Sequence, residues 1–247
     1  MHHRNNDSLS VVAAVFGAGI VCLAAVVNIS AAAQTAPAPA VNLSGTWELR
    51  FDSMNVPLAA LVPAVAAENP NLQFEHDRKE IRWCHFFGVP YEMQQSPIDL
   101  VQNTDGKEVT IMSPVRSPAR HIYTDGRGHV NPDTYDPVSN GHSIGHWEGA
   151  TLVVDTVGFS DEGVTRIPGG GRRTPNSHLV ERFRLVDSNQ LSVVSTWEDS
   201  KIFAKPHTYE VRYFRAPKFT ELREFDCNAS DEARGKFLLE PPGSQLK

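Results

Sequence analysis

Basic residues are few and scattered. The chain of 247 residues carries 23 Lys and Arg against 29 Asp and Glu, a net charge of −6, and no stretch concentrates the positive ones. That excludes a nucleic-acid footprint, which needs a basic patch or stripe. Cysteines number three, and no internal repeat appears. The one glycine run, Pro168 to Arg173, has no strand before it and no helix after it, so it cannot cradle a phosphate as a P-loop does. It reads as a solvated loop, or as a lid bearing Arg172 and Arg173. What remains is the composition of an ordinary soluble globular protein, 40% hydrophobic and 21% charged.

The first residues read as an address. Arg4 supplies a positive start, Leu9 to Val27 an apolar core, and Ala31, Ala32 and Ala33 a small-residue cleavage site before Gln34. Residues 1–33 are therefore expected to be a signal peptide, giving a periplasmic or secreted protein with no membrane contact after cleavage. The alternative is an uncleaved anchor, because the apolar run is long. Residues 34–42 are a Pro/Ala-rich linker, residues 43–230 the folded domain, and residues 231–247 a tail. Export leaves Cys84 and Cys227. An oxidising compartment favours a disulfide between them over two free thiols. In the chain-entropy model such a long loop gives up to about 5 kcal/mol.

Chemistry concentrates between Asn140 and Phe159. Ten residues, Gly141 to Ala150, hold two histidines, a serine, a tryptophan, a glutamate and three glycines. Gly141-His142-Ser143-Ile144-Gly145 matches the nucleophile elbow of the α/β-hydrolases, but that motif needs a strand before it and a helix after it. Turn formers precede it and a β-branched strand follows. A β-hairpin fits better, Ser143 to Trp147 returning through Thr151 to Val157. Alternation then puts His142, Ile144, His146 and Glu148 on one face and Ser143 and Trp147 on the other. A neutral imidazole backed by a carboxylate is a natural general base; the bland alternative is a hydrogen-bonded cluster at a barrel rim. A shared metal is not expected, since four residues of strand separate His142 from His146 by about 13 Å.

Other segments offer partners. His121, Tyr123 and Asp125 alternate on one face, and Arg127 and His129 follow in a loop. An arginine there can hold a carboxylate or a developing oxyanion, or simply brace a turn. His178 precedes a strand and could converge with the central histidines. Phe86, Phe87 and Tyr91 could wall an apolar pocket or pack in the core. Val56 to Glu68 reads as a short helix limited by Pro57 and Pro63, and Phe74 to Trp83 as a strand. Ile98 to Gln102 and Glu108 to Met112 form a hairpin around Asp105-Gly106. Val180 to Val186, Gln190 to Asp199, His207 to Arg215 and Thr220 to Cys227 form a meander.

Leu43 to Phe51 reads as the opening strand. Its Gly45 and Trp47 resemble the lipocalin opening, in which the tryptophan plugs one end of a barrel. The segments His121 to His129, Gly141 to Thr156 and Ser177-His178 together resemble a secreted bacterial family of largely unassigned function. Members usually read Trp-Glu-Gly-Asp-Thr-Leu-Val-Val-Asp-Thr. Ala150 stands where the first aspartate is expected, so no role of that carboxylate carries over. The resemblance covers most of the mature chain. It implies a lipocalin-type barrel and bacteria that degrade aromatic and plant-derived compounds.

The expected fold is an all-β, lipocalin-like antiparallel β-barrel of about eight strands with one short helix, enclosing one small ligand. The leading expected function is a cofactor-independent lyase or isomerase acting on a small aromatic, plant- or lignin-derived compound. His142 or His146 would move the proton, Glu148 or Asp125 would orient it, and Arg127 and Tyr123 would stabilise negative charge. His121, His129, Ser143, His178, Phe86, Phe87 and Tyr91 would bind substrate. A periplasmic carrier of an apolar molecule is the alternative from another class. A serine hydrolase using Ser143, His178 or His207, and Asp155 is the third. Oligomeric state is left open. The disulfide predicts that Cys84 and Cys227 resist alkylation until a reductant is added. Intact mass spectrometry reads this, and labelling without reductant removes the bridge.

Overall fold

The computed structural model describes residues 41–82, 84–114 and 118–222. The expected signal, most of the expected linker, the expected tail and Cys227 lie outside them. Cys84 is disulfide-bonded.

Nine strands close into one barrel in chain order: β1 (Gly45–Leu49), β2 (Ile98–Gln102), β3 (Glu108–Met112), β4 (Arg120–Tyr123), β5 (His142–Glu148), β6 (Thr151–Val157), β7 (His178–Asp187), β8 (Gln190–Glu198) and β9 (His207–Arg215). β9 returns to β1, with Trp47 opposite Arg215. This is the expected all-β barrel, closed with its strands in chain order. Its pairs are antiparallel except one. β4 and β5 run parallel, with Ile122 opposite Ser143 and Tyr123 opposite Ile144. A parallel pair cannot be joined by a tight turn, so residues 124–141 run back along the wall before β5 begins.

Alternation along each strand divides inside from outside. Inward positions carry the core, among them Trp47, Ile98, Leu100, Ile111, Leu152, Val154, Phe183, Val193, Trp197 and Tyr213. Trp47 is fully buried; its indole N–H donates to the Leu43 carbonyl at 3.0 Å, and the Arg215 guanidinium lies over its ring. Two charges share this interior. Arg120 on β4 meets Glu181 on β7 at 2.5 Å, with side chains 1% and 2% exposed. The guanidinium also donates to Ser143 Oγ (3.2 Å) and Thr156 Oγ1 (3.0 Å).

Two α-helical segments among the described residues lie outside the barrel. The expected helix over Val56 to Glu68 shrinks to one turn, α1 (Pro63–Ala66). Ahead of it the chain is extended, with Asn55 bridged to Glu210 and Leu61 to Phe203. The expected strand over Phe74 to Trp83 is instead a helix, α2 (Pro70–Arg82); Trp83 itself lies outside the described residues. Asn69 Oδ1 accepts from the Asn71 N–H at 3.0 Å and caps the start. The inward stripe, Gln73, Asp77, Glu80 and Ile81, has helical spacing but is mostly polar, so hydrophobic periodicity does not reveal it. Thr220 to Leu222 form no strand, and the remainder of that predicted strand, to Cys227, lies outside the described residues.

The segment 163–175 is not a solvated loop. Thr165, Ile167 and Arg173 are buried, and Arg173 N–H donates to the Thr165 carbonyl. Gly163 and Gly169, both at positive φ, let the backbone approach closely. A Cβ there would stand 2.0 Å from the Phe86 carbonyl oxygen and 2.3 Å from that of Pro57.

The Arg120–Glu181 pair predicts that Glu181→Ala lowers stability by about 3–5 kcal/mol, because it strands a buried guanidinium. The double replacement Arg120→Met, Glu181→Leu recovers most of that loss. Urea unfolding of the three proteins checks both statements.

Candidate functional site

β5 presents His142, Ile144, His146 and Glu148 on one face, as the alternation predicts. That face is the outer wall, not a chamber inside the barrel. The register decides it: Ser143, Gly145 and Trp147 oppose the inward-facing Thr156, Val154 and Leu152 of β6. A polar residue sits as readily on either side of a half-buried strand, so sequence alone cannot choose.

His142 is nevertheless 7% exposed. The 124–141 segment covers it with His129 and Tyr135, and β4 supplies Tyr123. Ring centroids stand 5.2, 5.9 and 5.7 Å from the His142 ring. His129 Nδ1 lies 3.0 Å from His142 Nδ1, and its Nε2 3.1 Å from Asp155 Oδ1. The same Asp155 oxygen is 2.9 Å from His178 Nε2, and His178 Nδ1 is 3.2 Å from Glu198 Oε2. A continuous relay therefore runs from Glu198 on β8 through His178, Asp155 and His129 to His142 on β5. Burial first, then the His129 and Arg127 charges, push the His142 pKa below the ordinary imidazole value. His142 is thus a neutral base at pH 7. Its Nδ1 is tied into the relay, and among the described residues no hydrogen bond occupies its Nε2.

Arg127 forms a fork with Asp125, three contacts of 2.6 to 3.0 Å, and lies 4.0 Å over the Tyr123 ring. That hydrogen bonding holds the Asp125 carboxyl down at about 2. Asp125 therefore braces Arg127 and does not orient an imidazole. His121 stacks on Tyr123 and pairs with Glu108 at 2.5 Å. Burial pushes the Tyr135 phenol up, so it stays protonated.

Several expected participants are elsewhere. His146 is 65% exposed and pairs with Glu148 at 3.2 Å; Glu148 also binds Arg182 at 2.7 Å. Extended spacing carries this pair along the strand and away from His142, so Glu148 does not back that imidazole. Ser143 points inward to Arg120 and Thr156, while Asp155 and His178 lie on the outer face. His207 is buried against the Pro168 carbonyl. The serine-hydrolase arrangement is therefore not assembled. Phe87 and Tyr91 belong to a small separate core with Ile81 and Val164, and Phe86 is 57% exposed. The rings around His142 are Tyr123, Tyr135 and His129 instead.

From sequence, Asp155 stands only in a hydrolase triad, although a lone carboxylate in an apolar strand marks it out, and Glu181, a charge at an inward position between Leu179 and Phe183, is missed. Nothing in the sequence signalled Tyr135 or Glu198. Among the described residues no group of three or more His, Cys, Asp or Glu could hold a metal ion. No described helix is long and apolar enough to cross a membrane.

No family model matches the chain, and no curated protein matches it. Among solved structures, it is similar to a point mutant of the fluorescent protein UnaG. The match has 14% identity and a TM-score of 0.34, covering 71% of this chain and 97% of that one. A likeness of that size carries no argument about ligand or activity.

The geometry predicts that His142 titrates below about 6.5, the ordinary imidazole value. Arg127→Ala should raise that midpoint by removing a nearby positive charge. NMR titration of the histidine ring protons checks both; a lowered midpoint in the variant excludes the charge effect.

Proposed function

We propose that the chain is a cofactor-independent lyase or isomerase for a small aromatic molecule, with His142 as its general acid–base. The observation that supports this best is the neutral, ring-enclosed His142, with Nδ1 anchored and Nε2 uncommitted. In this reading Nε2 takes a proton from a C–H or O–H of the substrate. The released electron pair then forms the new double bond or carbonyl as the leaving group departs. Loss of formaldehyde from a hydroxymethyl group follows the same course: the hydroxyl proton goes to His142, the C–C bond breaks to release formaldehyde, and its electron pair forms the new C=C bond as a leaving group departs from the next carbon. His129 and Asp155 orient the ring and share the imidazolium charge. They replace Glu148 and Asp125 as the orienting groups. Arg127 and the Tyr135 hydroxyl stabilise negative charge on the substrate. The aromatic rings favour an aromatic substrate through stacking. With the signal read in residues 1–33, the activity would lie in the periplasm or outside the cell.

A carrier of an apolar small molecule is the second reading. It draws on the closed barrel, an architecture able to hold one small ligand.

Incubation with a panel of plant-derived aromatic dimers, followed by mass spectrometry, separates the readings. Loss of a fragment marks a lyase. Unchanged mass with altered retention marks an isomerase. Gain of water, or saturable binding without product, overturns the proposal. His142→Ala should cut turnover about 10²–10⁴-fold, the usual contribution of acid–base catalysis, whereas His146→Ala should leave it unchanged. The kcat/KM profile should hold constant through pH 7 and fall only below pH 6.5, because the depressed pKa keeps His142 unprotonated until then. The neutral form stabilised by burial has the same sign in folding. Its contribution is full above the unfolded-state value and is lost as pH falls through the folded one.

A further inference from the structure

We propose that the cavity between α2 and residues 161–175 is a second binding site, and that it takes a small organic monocarboxylate. The cavity measures about 500 Å³, within the range of small-molecule sites. It lies apart from His142 and its relay, and none of those residues lines it.

The polar groups around this cavity fall into two sets. Most are already partnered. Glu68 and Arg172 form a fork at 2.6 and 3.0 Å. Gln73 binds Asp77 and Thr165, and Thr174 binds Asp199. Asp77, just behind the lining, also faces Arg166 at 3.6 Å. The second set has capacity to spare. Arg173 is 1% exposed. Its two terminal nitrogens donate to the Ser139 and Glu162 carbonyls, but its buried Nε–H has no partner. His76 Nε2 is likewise buried and unpartnered. An unmatched buried donor is costly to keep, and here two donor-capable groups line one cavity.

Arg173 remains a cation: burial pushes its pKa down only to about 10. A guanidinium N–H and an imidazole nitrogen in the lining of one cavity suit an anionic oxygen. The size of the ligand follows from the space, which far exceeds that of an inorganic oxyanion. Leu72 and Pro175 give it apolar walls. The charge of the ligand follows from the balance. Arg166, Arg172 and Arg173 are offset by the buried Asp77, by Glu68 and by Asp161, which stands exposed at the rim. A dianion would meet those carboxylates, whereas one carboxylate on an apolar body would not.

Isothermal titration calorimetry on the full chain tests this with three probes: 4-hydroxycinnamate, its neutral amide and inorganic phosphate. The acid should bind at least about tenfold more tightly than either of the others, a difference of about 1.4 kcal/mol. Leu72 is 62% exposed, so Leu72→Trp should fill the cavity without disturbing the fold and weaken the acid by at least about tenfold. His76→Leu should also weaken it. Arg173→Lys, which keeps the charge but loses the Nε–H, should do the same if it retains the wild-type thermal midpoint. No heat from the acid at millimolar concentration overturns the proposal. So does equal binding of acid and amide, equal binding of phosphate, or undiminished binding in Leu72→Trp. Leu72→Trp leaves the relay intact, so turnover at His142 should persist in it. Failure here is thereby distinguishable from failure of the lyase reading.

Discussion

One constraint orders the rest of the molecule: β4 and β5 lie parallel in a ring whose other neighbours are antiparallel. An antiparallel step would need only a tight turn after Tyr123. The parallel step obliges the chain to return to the end from which β4 started, and residues 124–141 make that journey across the outer wall. His129 and Tyr135 are delivered onto His142 by that route. Without the crossover, His142 would be a surface imidazole like His146, four residues further along the same face.

The barrel wall separates two polar systems that face opposite ways. Inside, Arg120 and Glu181 compensate each other in the low-dielectric core, with Ser143 and Thr156 accepting from Nε and Nη2 of the guanidinium. Outside, the relay runs from exposed to covered groups, 52% at the Glu198 side chain, 35% at His178 and 41% at Asp155, then 23% at His129. A proton placed at the covered end is thus linked by hydrogen bonds to groups in water. Adjacent residues belong to the two systems: Ser143 beside His142, and Thr156 beside Asp155.

Much of the wall was legible in the sequence. The Asp105-Gly106 hairpin, Thr151 to Val157 and His207 to Arg215 follow from alternation and turn chemistry, because each buries one clear apolar face. α2 was not legible, since its buried face is Gln73, Asp77 and Glu80 and its partners are backbone N–H groups and arginines distant in sequence. The histidines were recognisable as a group, and their shared face was correct. Which side of the wall that face looks toward depends on the register with β6 and on the parallel pairing of a four-residue strand. Neither has a local signature. For that reason Glu148 and Asp125 looked like the partners of His142, and Asp155 was read only as part of a hydrolase triad.

The shortest seam of the hydrogen-bonded ring joins β4 to β5, with the two seams of β1 next at three register pairs each. β4 and β5 share two register pairs, whereas β5 and β6 share seven. That seam lies directly beneath Tyr123 and His142. Local fraying of the barrel there would separate two of the rings that shelter the imidazole and admit solvent to it. The mechanical weak point of the cylinder and the entrance to its most unusual histidine are therefore the same place, and amide exchange along Ile122 to Ile144 would report on both at once.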